Sequence, residues 1–569
     1  MKFRFPRLPQ NFARAQYRRM LVTTLTSAVV TFVTDVADTV FAGHLFGEEA
    51  LAGVNLVAPI ASLVLFVSST VTYGTAIRRS IAVGQCDRAE MDRCCSTGLW
   101  ASLALAVALG LMFLGLNVYF SLLGVSGAAR NVASAYCRGY WAVAALTPFS
   151  LLAYDLISAD GGHRCCRIGL LVNVAVKLLA AVPLARRFGI VGLAYSSVLG
   201  RTASIAVMAF HFRAKTCSLR FAGGFSLRTL LSSVRFSFID QLYVFGDMLK
   251  MLVVNAFVIA SFGERFLPVV SVFAAVSMLS LIQSATASAA QPLIGIYLGE
   301  RNYKRVRTVA GFGLVATLAG GVVLSTLLLV FPDLVSAFVG LKDPDLLPFA
   351  RTAVRFAAAF LMFTLVCGFM DSYYLYTEKF ILSLVLVLAD GCLVPAALGV
   401  VLGWMFDASG LWLGLSVAPT VVLAVLGAVV YARRDNPFLL PSDRDARTFV
   451  FDLELTERDI AATSELVMEQ LQRWGLYAGE AVKAPLIVEE ALMIVRERNA
   501  GKRILGEVTL DLNDGVSLTL RDDGEIFDLT DSDADISSLR AYLVANVMAS
   551  QRQKLNLIAT GTNRNCFRF

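Results

Sequence analysis

Between residues 20 and 432 long apolar runs alternate with short polar breaks, and the runs recur at lengths near twenty residues. A helix of about 20 residues rises about 30 Å, enough to cross the hydrocarbon of a bilayer. The pattern predicts spans over 20–43, 51–77, 94–121, 134–157, 168–184 and 190–212. A second set follows over 236–261, 268–298, 309–338, 350–375, 380–403 and 409–432. Beyond residue 447 the period changes. Phe449-Val-Phe-Asp-Leu-Glu-Leu455 alternates as a strand, 457–474 and 480–498 read as helices, and 504–511 and 515–521 read as strands. A helix near 536–550 and two closing strands complete a β-α-α-β-β-α-β-β order. The expected fold is mainly α and polytopic, with twelve transmembrane helices in two six-helix lobes and a small C-terminal α/β sandwich. The expected divisions are a basic N-terminus over 1–19, lobes over 20–215 and 216–434, a linker over 435–447 and the sandwich over 448–569.

The two sets of spans resemble one another. Gly84-Gln-Cys-Asp-Arg-Ala-Glu-Met-Asp-Arg after the second span matches Gly299-Glu-Arg-Asn-Tyr-Lys-Arg-Val-Arg-Thr in place and character, 215 residues on. Gly98 meets Gly313 at the same offset, and His163-Arg164 falls in register with Glu378-Lys379. Six-span repeats are parallel and related by an axis along the membrane normal, an arrangement transporters use to open a central cavity to each side in turn. Loops on the N-terminal side, up to Lys379, hold 22 Lys and Arg residues; opposite loops hold five, namely Arg130, Arg186, Arg187, Arg265 and Lys342. Basic loops stay in the cytosol, so both termini are expected there, in an inner-membrane protein.

Composition supports the membrane reading: 57% of residues are hydrophobic and 16% charged, against about 25% charged in soluble domains. Six basic residues precede a first run too long and too polar for a cleaved signal. The net charge of +7 divides into −7 over residues 443–569 and +14 over the rest. The basic part is accounted for by loops facing the lipid surface, so no nucleic-acid partner is expected. Ten cysteines lack any CxxC spacing, and His44, His163 and His211 are the only histidines, so no metal site is expected.

An acid at mid-bilayer costs about 2.5–3.5 kcal/mol on insertion scales and normally faces a cavity or a partner. Thr24, Ser27, Thr31, Thr34, Asp35 and Asp38 fall at three- and four-residue steps, one polar stripe down the first span. Asp38, with Asp35, is the candidate for carrying a proton or sodium ion. The seventh span offers Asp240, Tyr243, Asp247 and Lys250, the last two spaced to neutralise each other. The tenth carries Cys367, Asp371, Tyr374 and Glu378 on one face, and Asp155, Asn173, Lys177 and Asp390 lie within three further spans. Each alone reads equally as helix–helix hydrogen bonding. Together they describe a net acidic substrate cavity, with Asp155, Asn173, Asp240, Asp247, Asp371 and Tyr374 as lining candidates.

The segment Ala37-Asp-Thr-Val-Phe-Ala-Gly-His-Leu-Phe-Gly-Glu-Glu-Ala-Leu-Ala-Gly-Val-Asn-Leu-Val-Ala-Pro59 resembles the first-span signature of the multidrug and toxic compound extrusion (MATE) family. Ser158-Ala-Asp-Gly-Gly-His-Arg164, Asn173 and Gly189-Ile-Val-Gly-Leu-Ala194 resemble its pattern around spans four to six. The resemblance covers residues 15–434. It implies antiport of amphipathic, often cationic compounds coupled to H+ or Na+, and places Asp38 at the coupling carboxylate. Lys177 departs from it, standing where many relatives carry an acid, and Arg78-Arg79 is unusually basic for that position.

The C-terminal segment resembles a histidine-kinase-type ATP-binding domain of the anti-sigma-factor subtype, through Glu489-Glu-Ala-Leu492, Arg521-Asp-Asp-Gly-Glu-Ile-Phe-Asp528 and Gly561-Thr-Asn-Arg564. The resemblance implies that Glu490, Asp522 and Gly524 belong to a nucleotide site, with Asp522 reading the adenine amino group. The magnesium-holding Asn is replaced by Ile494, and the glycine lid by Ser537-Ser-Leu-Arg540. An aliphatic side chain cannot ligate a hard cation. Catalysis is expected to be lost, leaving at most weak, metal-free ATP binding and a regulatory or docking role toward a cytosolic protein partner. The expected function is ion-coupled efflux of organic cations, not an enzymatic one. The alternatives are flipping of a lipid-linked saccharide, to which Lys177 and Arg201 would contribute, or a membrane-anchored signalling protein. No kinase His exists in the cytosolic part to serve the last of these.

Overall fold

A computed structural model describes residues 11–46, 48–84, 87–113, 128–214, 217–222, 224–263, 266–339, 344–434, 436, 438–441, 447–476, 483–513, 515–527, 552–554 and 562–568. The first repeat comprises α1 (Phe12–Phe46), α2 (Glu48–Gly84), α3 (Arg88–Met112), α4 (Ala128–Ala159), α5 (His163–Phe188) and α6 (Val191–Met208). The second comprises α7 (Leu227–Phe262), α8 (Leu267–Ser277), α9 (Leu281–Gly299), α10 (Tyr303–Val330), α11 (Asp333–Val339), α12 (Leu347–Tyr376), α13 (Phe380–Leu388) and α14 (Val394–Arg433). Among the described residues nine helical stretches are long and apolar enough to cross a membrane. That count does not include α1 and α7, 35 and 36 residues long.

Most helices begin or end outside the apolar runs, because their amphipathic ends continue the same backbone hydrogen bonding. α3, for instance, starts at Arg88, capped by Asp87, whose carboxylate accepts from the Glu90 N–H at 3.0 Å. The expected ninth span, 309–338, is divided between α10 and the short α11. Two interruptions fall where the pattern alone shows continuous helix. A 3-10 turn at Met278–Ser280 separates α8 from α9. A π-helical turn at Ala389–Leu393 joins α13 to α14 and carries Asp390. α14 breaks at Phe406 and Asp407, the latter at φ +53°, in the gap between the expected spans 380–403 and 409–432. That break makes two segments of the 54-residue stretch Phe380–Arg433.

The repeat is visible in the helix boundaries. α1 and α7 begin 215 residues apart, α2 and α9 end 215 apart, and α3 and α10 begin 215 apart. The halves touch through α2 and α7. Gly74 lies so close to α7 that a β-carbon there would sit 2.1 Å from the Ser233 carbonyl oxygen. Ser69 donates to Gln241 at 2.6 Å, Ser237 donates to the Thr70 carbonyl, and Phe66 packs on Phe238 and Phe245. Thr24 of α1 donates to the Ala285 carbonyl of α9 at 2.8 Å, joining the other pair of repeat-related helices.

The chain forms two compact units. The larger is Leu21–Ser288 with Gly313–Arg433. The smaller gathers Met1–Met20, Ala289–Phe312 and Arg434–Phe569. In it β1 (Thr448–Glu454), α15 (Glu457–Arg473), α16 (Lys483–Arg498), β2 (Leu505–Asp511), β3 (Ser517–Asp522), β4 (Arg552–Lys554) and β5 (Asn563–Arg568) follow the expected order. The helix expected near 536–550 lies outside the described residues. The strands form an antiparallel sheet in the order β1-β2-β3-β5-β4. Val488, Leu492 and Val495 of α16 and Ile460 and Val467 of α15 pack on Val508, Leu518, Leu520 and Phe567 of the sheet.

The smaller unit also contains a buried charge network. Arg305, at the start of α10, pairs with Asp452 at 2.5 Å and Glu507 at 2.7 Å. Glu300, just after α9, pairs with Arg521 and Arg564. Tyr297 donates to Glu507 at 3.1 Å, and the Arg521 guanidinium lies over the Tyr297 ring at 4.5 Å. Burial pushes the Glu507 carboxyl above its usual range, against the opposing pull of Arg305 and Arg521.

Candidate functional site

The polar stripe of α1 ends at a buried ion pair. Lys177 of α5 brings its Nζ to 3.0 Å from Asp38 Oδ2, and the two side chains are 4% and 15% exposed. Tyr136 of α4 and Ser197 of α6 donate to the same oxygen, each at 3.3 Å. The Lys177 ammonium also donates to the Thr34 carbonyl, 2.6 Å away and one turn before Asp38. Asp38 Oδ1 is buried with no hydrogen-bond partner among the described residues. Gly200 admits this arrangement: a β-carbon there would meet Asn173 Oδ1 at 2.6 Å and the Lys177 Cβ at 3.3 Å, so α5 and α6 approach closely. Asn173 Oδ1 is itself buried and unpartnered among the described residues. The side chain of Asp35 lies outside the described residues.

Asp155 stands apart from the pair and accepts from Thr72 of α2 at 2.8 Å. Arg201 of α6 donates to Thr147 at 2.8 Å and has no carboxylate partner among the described residues. Arg79, the unusual basic residue ending the second span, has a structural role. It pairs with Asp160 at 2.7 Å, and Asp160 also accepts from the Ser218 N–H and hydrogen-bonds His211 at 2.9 Å. Asp160, His211 and Cys217 lie close enough to share a metal ion. The guanidinium on that carboxylate disfavours a second cation.

In the second repeat Asp247 and Lys250, three residues apart on α7, pair at 2.5 Å, with Asp247 41% exposed. Lys250 and Asp390 line one cavity of about 60 Å³ together with Tyr243, Ser277, Ser280, Thr364 and Ser416. That space holds about two waters. The π-helical turn explains how Asp390 reaches it, since the extra residue rotates the following side chains relative to a regular helix. Asp371 is engaged elsewhere, accepting from Ser383 at 2.6 Å, and Tyr374 is buried with its ring 5.5 Å from that of Tyr373. The side chain of Asp240 lies outside the described residues. A larger open depression of about 460 Å³ over Asp92, Arg93 and Phe225 involves none of these charges.

The acids picked from the pattern thus separate into two groups. Asp38 and Asp247 face lysines, whereas Asp155 and Asp371 are each held by a hydroxyl. Lys177 pairs with Asp38 in the first repeat, and Asp390 shares a cavity with Lys250 in the second. The sequence marks both as intramembrane charges without showing their partners.

In the smaller unit Asp522 sits 2% exposed at the end of β3. Its Oδ1 accepts from the Gly524 N–H at 3.0 Å and from the Asn563 carboxamide at 2.8 Å. Asn499 donates to the Val495 carbonyl and accepts from the Glu525 N–H, and a β-carbon at Gly524 would meet its Nδ2 at 2.7 Å. Burial pushes the Asp522 carboxyl up to about 6, with Asn563 and Gly524 opposing. An adenine amino group at this carboxylate would compete with an amide already donating to it. Ile494 packs against the domain core, and Glu490 is half-buried on the same helix. The segment Ser537–Arg540 lies outside the described residues.

A family model described as MatE matches residues 23–185 and 244–401. Among solved structures, MATE in complex with MaL6 is 19% identical, with TM-score 0.67, covering 74% of this chain and 96% of that one. The outward-facing conformation of a multidrug resistance MATE family transporter of the MOP superfamily gives the same identity, TM-score and coverage. A MOP superfamily transporter from Pyrococcus furiosus Vc1 (DSM3638), described by the reverse polarity of its binding pocket, is 18% identical with TM-score 0.67 and the same coverage. No curated protein matches the chain.

Proposed function

The chain belongs to the MatE family of membrane transporters, and on that premise we propose that it is a secondary active exporter. It exchanges a proton or sodium ion for an amphipathic organic cation across the inner membrane, through one cavity between two six-helix lobes. Both termini lie in the cytosol, following the excess of basic loops on that side. The twelve crossings are α1 to α6, α7, α8 with α9, α10, α12, and the two segments of Phe380–Arg433.

The observation that carries this reading is the Asp38–Lys177 pair, buried at membrane depth and linking α1 to α5. A buried ion pair contributes little net stability against its apolar replacement. Its retention inside a bundle therefore fits a switch better than a brace. Loading an ion at Asp38 weakens its hold on Lys177 and frees α1 to move against α5. Contacts of α2 with α7, in the cytosolic halves of both helices, support a state closed to the cytosol. Proteoliposomes under an imposed proton or sodium gradient test the proposal. Wild-type protein should concentrate a fluorescent organic cation against its own gradient, and no movement under either gradient contradicts the reading.

The C-terminal domain serves as a docking module on an ATP-binding type of fold without its catalysis. Ile494 at the magnesium position and the amide already bound to Asp522 support this. Titrating the full chain with ATP should give no magnesium-dependent binding; micromolar binding that requires magnesium contradicts it.

A second reading within the superfamily, flipping of a lipid-linked saccharide, is favoured by Arg201. Its guanidinium meets only a threonine hydroxyl among the described residues, leaving a positive charge for an anionic headgroup. The P. furiosus relative described by reverse pocket polarity is a precedent for such a departure. Movement of a labelled lipid-linked substrate, but of no organic cation, decides for it.

A further inference from the structure

Among the described residues, everything that reaches Asp38 Oδ2 is a donor: one ammonium and two hydroxyls. Without the ammonium, the same gap is bounded by the Asp38 carboxylate, the Thr34 carbonyl and the hydroxyls of Tyr136 and Ser197. These are hard oxygen ligands of the kind that bind hard cations. The Lys177 nitrogen, 3.0 Å from the carboxylate and 2.6 Å from the carbonyl, stands among them where such a cation would stand.

We propose that Lys177 is a tethered counter-cation, occupying at Asp38 the place of a free alkali-metal ion and thereby deciding which ion the carboxylate accepts. A sodium ion and the ammonium cannot share this gap, because two like charges would lie within contact distance in a medium of low dielectric. A proton needs no such space. Asp38 Oδ1, buried and without a hydrogen-bond partner among the described residues, has a free lone pair for it. The second repeat places a lysine and an acid on the corresponding helices with exchanged polarity, although there the lysine pairs with Asp247 of its own helix. There the lysine, Lys250, is on α7, the repeat partner of α1. The acid, Asp390, is in the π-helical turn after α13, the repeat partner of α5, and both face one cavity.

The inference rests on the transport reading only in treating Asp38 as the coupling group; the binding claim is testable without transport. Purified full-length protein is unfolded thermally in detergent with NaCl, LiCl or choline chloride at equal ionic strength. Wild type should unfold at the same temperature in all three. Lys177→Ala should gain a saturable rise in Tm of roughly 2–4 °C in sodium or lithium. The double variant Asp38→Asn/Lys177→Ala should lose that rise. Lys177→Ser, which adds another oxygen ligand, should behave as Lys177→Ala and replaces it if the alanine variant does not fold. A sodium-dependent rise in wild type that Asp38→Asn abolishes overturns the proposal, as does a folded Lys177 variant without a sodium response. Proton-driven transport by wild type in either of those cases keeps the transport reading and removes only the role of Lys177. Absence of transport with the expected sodium responses does the reverse.

Discussion

Asp38 and Asp522 are both buried acids, and their surroundings give them opposite characters. Asp38 faces a full positive charge, so its place in the α1 stripe was legible from three- and four-residue spacing, whereas its partner was not. Lys177 lies 139 positions away on another helix, and spacing along one helix carries no information about which face of another it meets. The same holds for Arg79 with Asp160, and for Asp371 with Ser383. Asp522 is met only by neutral donors, Gly524 and Asn563, and burial lifts its carboxyl to about 6. The ordinary aspartate value is about 3.9, so between about pH 4 and 6 the folded domain holds a proton that the unfolded chain has released. Stability from this group is therefore greatest below about pH 4 and falls as the pH rises toward 6. In the full chain, amide-exchange protection of β2 and β3, corrected for intrinsic rate, should increase from pH 7 to pH 5. In Asp522→Asn that increase should be absent, and an unchanged pH response there contradicts the assignment.

At the scale of elements, the apolar runs located the helices but not every interruption. The break at Asp407 falls in the gap expected between the last two spans, but the 3-10 turn at Met278–Ser280 and the π turn at Ala389–Leu393 occur inside expected spans with no proline at the interrupted positions. Their causes are tertiary, so local pattern is silent about them. Close helix approach is likewise invisible in periodicity until the facing helix is known. Gly74 was one apolar position among many, yet it permits α2 and α7 to meet backbone to backbone. Gly74→Val would press a branched side chain onto the Ser233 carbonyl, where the obstacle is main chain and cannot rotate away. Overpacking of this kind costs typically about 1–3 kcal/mol. The variant should fold with a lowered Tm and should accumulate less substrate in vesicles, while Gly110→Val, with open space around the glycine, should leave both unchanged. Equal effects of the two substitutions contradict a specific α2–α7 contact.

Over the whole molecule the 215-residue repeat was legible because loops of one character recur at one interval, and the helix boundaries keep that interval. The charge network of the smaller unit was not, because Glu300 and Arg305 read as ordinary loop charges until the strands carrying Asp452, Glu507, Arg521 and Arg564 are placed beside them. Removing one member of a buried pair leaves an uncompensated charge at a cost of about 3–5 kcal/mol. Glu300→Arg, facing Arg521 and Arg564, should expose the linker before β1 to limited proteolysis at least several-fold faster than in wild type. The exchange Glu300→Arg/Arg521→Glu should recover part of the resistance. The central claim concerns the other unit, where an ion gradient is coupled to export through Asp38. Its most direct test is the initial rate of organic-cation uptake into proteoliposomes driven by an imposed proton gradient, compared between wild type and Asp38→Asn. Wild type should take up the cation and Asp38→Asn should show no gradient-driven uptake; equal rates in the two proteins would contradict the account.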